Sequence, residues 1–464
     1  MFRFLTLLIL VALSTWGVSA QPAPELPNRF GVVEGFWMPE EACSLGVGWE
    51  RIIFDWAQIQ PASSQDWNTL NVDERWLRDA QSCDREVVGI VKHTPQWATD
   101  GLLNAGVPRG LALPVDDPEN LWANFMRRLA AHYAPLGVRR WVIWNEPDIP
   151  RDTYGFLFEG TVEDYALLVK VAALSAREGD PDARIHLAGM TYWHDVNAGQ
   201  RLYLDRLLEA ITADPDASAH GYYFDAVTLH IYYRTETIWQ IVTETRALLR
   251  RYGLGDKAIW INETNASPNL DPEWRVERPN WQITLEQQGA FLVQAAALGL
   301  AGGADAIAVY KLNDFALPPG GESFGILRPD GSPRPAFETW RMIVRNFAAV
   351  TDAWYARTDT VDVVRLDAGD RQIMVAWART GVPAMLRVGA VSDEAQLADQ
   401  YGMMMTIRPL DGGYTLLLPG ALCNPVDACA VGGSPAILMQ PPGDASIAEV
   451  MRGGLVALDF VRTD

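Results

Sequence analysis

No Cys-x-x-Cys or His-Glu-x-x-His spacing occurs anywhere in the 464 residues, so the ligand patterns of common zinc sites are missing and no metal is expected. No Gly-rich phosphate turn follows an early strand-like run, which removes the anchor of a dinucleotide-binding sheet, and no cofactor is expected. After the first twenty residues no apolar run is long enough to cross a bilayer. There are no repeats and no low-complexity tracts. Positive charge is outweighed: 38 Lys and Arg stand against 58 Asp and Glu, a formal charge of −20. Such a chain repels phosphate backbones and anionic membranes, so nucleic acid is not an expected partner. Cysteine is sparse. Pairing Cys423 with Cys429 would clip one loop and leave Cys43 for Cys83; four cysteines allow three connectivities, and free thiols are the alternative.

What is present is ample core material, with 49% hydrophobic residues and 21% charged, enough for one large domain and a smaller one. The chain opens with a basic start at Arg3, an apolar run over 4–13 and the small residues Val18-Ser19-Ala20 before Gln21. That is the pattern of a secretory signal spanning 1–20, which implies a secreted or periplasmic protein and permits disulfides. A single membrane anchor is the alternative, for which the apolar run is short.

Two stretches organise the rest. Arg140-Trp141-Val142-Ile143-Trp144 is a β-branched and aromatic run that ends in Asn145-Glu146-Pro147, where proline stops the strand. Ala258-Ile259-Trp260-Ile261 ends likewise in Asn262-Glu263-Thr264. Around them, strand-like runs at 30–36, 49–56, 86–93, 140–144, 184–190, 224–232, 257–261 and 305–311 alternate with segments of helical period. Thr161 with Asp164 reads as a capping box, and Gly253 as a helix-ending glycine. Eight such alternations predict a (β/α)₈ TIM barrel over 27–350, an α/β fold whose active site lies at the carboxyl ends of its strands. Beyond 350 the texture changes to short runs at 361–366, 372–377, 385–388, 404–410 and 414–418, with Asp411-Gly412-Gly413 marking a hairpin. This predicts a small C-terminal β-sandwich domain over 351–464.

Both glutamates then sit at strand ends on one barrel face. A strand-end glutamate is ordinarily a solvated carboxylate, but a matched pair suits glycosidic bond cleavage. In these residues the barrel resembles the retaining glycoside hydrolases of clan A, the group that includes families 5 and 39, with Asn-Glu after strand four and a second glutamate after strand seven. The resemblance implies that Glu146 is the acid/base and Glu263 the nucleophile. It also implies substrate-site roles for Arg51, His93, Asn145, His230 and Tyr232. Aromatic faces bind sugar rings, so Trp97, Trp274 and Trp281, in loops leaving strands three and seven, are candidate subsites. The family usually has tryptophan at the end of strand eight; here Tyr310-Lys311 stands there. Asn262-Glu263-Thr264 also spells a glycosylation acceptor, a use that burial beside the nucleophile would rule out. The expected function is hydrolysis of β-glycosidic bonds in a polysaccharide or its fragments by double displacement. The alternative is a non-catalytic carbohydrate-binding or scaffold protein on the same barrel.

Overall fold

Eight parallel strands pair in chain order and close, β1 (Phe30–Val33) bonding both β2 (Trp49–Asp55) and β8 (Ala306–Val309). Between them run β3 (Glu86–Lys92), β4 (Arg140–Ile143), β5 (Arg184–Met190), β6 (Ala226–Tyr232) and β7 (Ala258–Asn265). This is a computed structural model, describing residues 26–315, 323–451 and 454–463; the expected signal segment lies outside the described residues. Alternation along each strand sorts the side chains. Val33, Trp49, Val88, Val142, Trp260 and Ala308 fill the barrel interior, while the intervening residues join the layer under the helices.

The outer ring comprises α1 (Pro39–Leu45), α2 (Trp56–Ile59), α3 (Glu74–Gln81), α4 (Leu121–Tyr133), α5 (Val162–Gly179), α6 (Trp193–Ala198), α7 (Tyr203–Ala213), α8 (Ile238–Arg251), α9 (Leu285–Gly302) and α10 (Pro335–Phe347). The capping box on α5 is formed as expected, Thr161 and Asp164 each bonding the other's backbone N–H. The strand-eight run proves shorter than its sequence suggests, ending at Val309. Both inferred disulfides are present: Cys43–Cys83 ties α1 to the turn after α3, and Cys423–Cys429 closes a six-residue separation. No helix among the described residues is long and apolar enough to cross a membrane.

After α10 the described residues build ten strands rather than the five read from sequence. β9 (Asp352–Arg357), β10 (Val361–Asp367), β11 (Gln372–Ala378), β13 (Ala395–Ala398), β14 (Met404–Ile407) and β16 (Ala436–Gln440) make a six-stranded sheet. β12 (Ala384–Gly389), β15 (Gly413–Leu418), β17 (Ile447–Met451) and β18 (Gly454–Ala457) make a four-stranded one. The central strands of the larger sheet are buried on both faces. Val363, Met374 and Leu438 pack toward the smaller sheet, whereas Val364, Ile373, Val375 and Ile437, one residue out of phase, join the barrel core. This explains α9: it is buried on every side from Gln287 onward, and mostly apolar, because barrel and sheet enclose it. The expected hairpin at Asp411-Gly412-Gly413 requires correction. A tight turn is there, with Leu410 and Gly413 bridged, but β14 pairs with β13 and β15 with β12, so the turn carries the chain from one sheet to the other.

Candidate active site

The carboxyl ends of the barrel strands collect unusual backbone. Glu34, His93, Trp144, Glu146, Tyr192 and Tyr233, all near strand ends, have positive φ between 44° and 75°. A left-handed conformation is costly for side chains of this kind and persists where the surroundings enforce it, often at functional sites. At β4 the enforcement is visible. Trp144 is fully buried, its backbone N–H donates to Val91 at 2.8 Å and its indole N–H to Leu157 at 2.8 Å, and Pro147 keeps the residue before it out of the right-handed helical region. Glu146 therefore turns over the barrel mouth.

Glu263 arrives differently. Trp260 faces the interior, so strict alternation would send Glu263 outward. The pairing of β6 with β7 slips by one between Leu229↔Ile261 and His230↔Glu263. Asn262 is the extra residue of this bulge, which re-aims Glu263 inward. Asn262 is 1% exposed, so its glycosylation motif is inaccessible.

Arg51 from β2 forms an ion pair with Glu263 Oε1, and the Tyr232 hydroxyl donates to Oε2. Burial alone would push the Glu263 carboxyl up, but the Arg51 guanidinium, His230 and the Tyr232 hydroxyl outweigh it and hold it below the usual carboxylate range. The same burial, together with the Glu263 charge, drives the Tyr232 phenol well above its ordinary value, so Tyr232 stays a hydrogen-bond donor. His230 links the two acids: its Nδ1 lies 2.6 Å from Glu146 Oε1 and 3.5 Å from Glu263 Oε2. Asn145 Nδ2 donates to Glu146 Oε2 at 3.1 Å. One ligating atom from each of Glu146, His230 and Glu263 falls within 4.8 Å of the others. Such a trio has the donor types of a metal site, but Glu263 is already neutralised by a guanidinium that would repel a second cation.

Sequence matches are wanting: no family model and no curated protein matches this chain. Solved structures do match. The chain is similar to a family 39 glycoside hydrolase from the gut symbiont Bacteroides cellulosilyticus WH2 (TM-score 0.63, 15% identity, 88% of this chain and 80% of that one). It is also similar to a GH39 β-xylosidase from Caulobacter crescentus (TM-score 0.56, 15% identity, 89% and 96%) and to a GH30 endoxylanase from Clostridium papyrosolvens C71 (TM-score 0.56, 13% identity, 90% and 99%). The fold is the one seen in those glycoside hydrolases. At such identities the likeness is one of fold, and the trailing sheets share in it because the matches span nearly the whole chain.

On this glycoside hydrolase fold the remaining residues named from sequence divide. His93 sits at the rim with Nδ1 2.8 Å from Asp55 Oδ2. Tyr310 packs edge-on to Tyr232, with ring centroids 6.0 Å apart, so it backs the tyrosine that bonds Glu263. A cavity of about 630 Å³ opens beside Glu146, His230 and Tyr232. Trp281 lines it and lies parallel to Tyr233 at 4.6 Å. Trp97 does not line it: its indole N–H donates to the Gln60 carbonyl at 2.7 Å and its ring meets the edge of Trp56, a core residue. Trp274 is likewise not part of that wall.

Sequence reasoning missed several residues here. Trp193, His194 and Asn197 on α6 line the cavity, a short helix between β5 and α7 that no period announced. Lys92, two residues beyond the inward-facing Ile90, has no hydrogen bond or ion pair among the described residues. Burial, and then the Arg51 charge, lower its pKa, while Glu263, Asp55 and Glu146 act against them. Asp148 is buried, accepts from Thr191 N–H at 2.7 Å, Thr191 Oγ1 at 2.9 Å and Tyr192 N–H at 3.2 Å, and leaves Oδ1 without a partner. Burial pushes its carboxyl up to about 6. Its bonds tie the Glu146 loop to the end of β5.

Proposed function

We propose that this protein is an exported retaining glycoside hydrolase that cleaves β-glycosidic bonds by double displacement, with Glu263 as nucleophile and Glu146 as acid/base. The observation that carries the reading is the unequal setting of two converging carboxyl groups. One is ion-paired with Arg51 and held ionised; the other bonds Asn145 and His230 and faces an open cavity. Oxygen atoms within 4.8 Å suit the retaining arrangement, in which carboxyl groups stand about 5–5.5 Å apart, and not the wider inverting one.

In the first step Glu263 attacks the anomeric carbon while Glu146 gives its proton to the departing oxygen. Arg51 and Tyr232 keep the attacking carboxylate oriented until its charge is consumed in the ester. In the second step Glu146 takes a proton from water, which displaces Glu263 from the sugar. Asn145 and Lys92 supply donors for sugar hydroxyls. No cofactor enters this scheme. The structurally similar proteins include a β-xylosidase and an endoxylanase, which makes β-xylosides the first substrates to try, ahead of glucosides, mannosides and galactosides. Two disulfides and the amino-terminal pattern support an extracellular or periplasmic location.

Chemical rescue tests the roles separately. With an activated aryl glycoside and azide, Glu263→Ala should yield the α-glycosyl azide and Glu146→Ala the β-azide. Hydrolysis at the parent rate in either variant would refute the assignment.

A further inference from the structure

The C-terminal sheets do more than cover α9. We infer that the disulfide-closed loop between Cys423 and Cys429 completes the leaving-group side of the active site, by holding in place the aromatic wall against which the departing sugar ring packs. This inference rests on the glycosidase reading above.

The cavity of about 630 Å³ is lined by Glu146, the acid of that reading, while Glu263 and Arg51 are not among its walls. A space reached from the acid and away from the nucleophile is where the leaving group stands when its oxygen is protonated. Its far wall is the parallel pair Tyr233 and Trp281, from the β6–α8 and β7–α9 connections. Neither connection is fixed by the barrel alone. The peptide joining Trp281 to Gln282 is bound at both ends: its carbonyl accepts from Asn269 Nδ2 at 3.2 Å, and its N–H donates to Asp427 Oδ2 at 2.7 Å. Asp427 belongs to the C-terminal loop. Two residues past Tyr233, Thr235 N–H donates to the Ala430 carbonyl at 3.0 Å. The closed loop, through Asp427, and the residue just past its second cysteine, Ala430, thus grip both segments that carry the wall.

The loop is itself built to hold that acceptor still. Asn424 Oδ1 accepts the N–H groups of Val426 and Asp427, each at 2.8 Å, and its Nδ2 donates to Asp427 Oδ2 at 3.0 Å. The disulfide brings Cys423 and Cys429 to a Cα separation of 4.3 Å around it. From α9, Gln294 Oε1 accepts from Gly432 N–H at 3.1 Å and from the Thr235 hydroxyl at 2.9 Å, joining loop and wall once more. Asp427 is 4% exposed. A buried carboxylate bound to a backbone N–H orients strongly, because leaving that N–H unpaired is costly. Asp427 is a positioning residue: it acts through Trp281, and the ligand it serves is a neutral pyranose ring or an aryl group on the leaving side.

The test compares two substrates of the sugar that the parent enzyme cleaves. The β-glycosyl fluoride has a leaving group too small to use the cavity, whereas the β-linked disaccharide fills it. Asp427→Ala is expected to lower kcat/KM on the disaccharide about tenfold, mainly through KM, as befits one lost charge-assisted bond. On the fluoride the change should stay within roughly twofold. Asp427→Asn, which keeps an acceptor, should recover much of the loss, and Cys423→Ser combined with Cys429→Ser should show the same split between substrates. Equal losses on both substrates, or no loss on either, would overturn the inference while leaving the glycosidase reading standing. A parent enzyme that cleaves neither substrate would overturn the glycosidase reading itself.

Discussion

Gly189 on β5 backs directly onto His230, the residue that links the two glutamates. A Cβ built there would lie 2.0 Å from His230 Nε2 and 2.2 Å from its Cδ2, against about 3.5–4.0 Å for an unstrained contact. An alanine therefore displaces the imidazole by more than an ångström. That ring cannot shift freely, since its Nδ1 sits 2.6 Å from Glu146 and 3.5 Å from Glu263. Gly189→Ala should cost about 1–3 kcal/mol of stability through overpacking. Its larger effect should be on kcat, about a hundredfold, because a misplacement of about 1 Å at reacting groups has that order of consequence. The assay is a double-mutant cycle with His230→Ala, read by steady-state kinetics on an activated aryl glycoside. If the methyl acts through the ring, it should do almost nothing once the ring is gone, so the two losses should be strongly non-additive. Losses that simply multiply would refute the reasoning, as would a fully active Gly189→Ala.

Asp148 gives a prediction with a defined sign. Its carboxyl is raised from 3.8 to about 6 by burial, so the folded state binds the proton more tightly than the unfolded chain does. Stability from this group is greatest at low pH and falls as pH rises through the window from about 4 to 6, by on the order of 3 kcal/mol in all. The difference between parent and Asp148→Asn in denaturant unfolding across that window should follow this curve; a flat difference would contradict it. Lys92→Met should raise KM about tenfold by removing an unpartnered donor at the barrel mouth, with an unchanged melting temperature; an unchanged KM would remove Lys92 from the substrate site.

Much of the barrel was legible because its signals are local. Pro147 marks the turn just past β4, Thr161 and Asp164 cap α5, and short runs rich in β-branched and aromatic residues mark β2, β3 and β6. Glu263 was identified by its place after an apolar run, although alternation would have pointed it outward; the bulge at Asn262 depends on pairing with β6, which no single segment encodes. The hairpin error has the same root. Asp411-Gly412 fixes a turn, while the partners of β14 and β15 are fixed by which core each strand must bury. β13 and β18 escaped notice because Gln396 and the exposed Gly454–Ala457 carry little of the β-branched signal. Trp97 stands apart from the cavity for a physical reason: tryptophan in a loop marks buried area as readily as a sugar platform, and its indole N–H is taken by the Gln60 carbonyl. The α6 residues are a loop decoration, and loop geometry follows from packing across the whole barrel face.

The most direct measurement is to trap the glycosyl-enzyme with a 2-deoxy-2-fluoro-β-glycoside bearing an activated leaving group and to map the labelled peptide by mass spectrometry. The account predicts one added sugar, carried on Glu263 and absent from Glu263→Ala. Label on another residue, or hydrolysis whose first-formed product is the α-anomer, would contradict it.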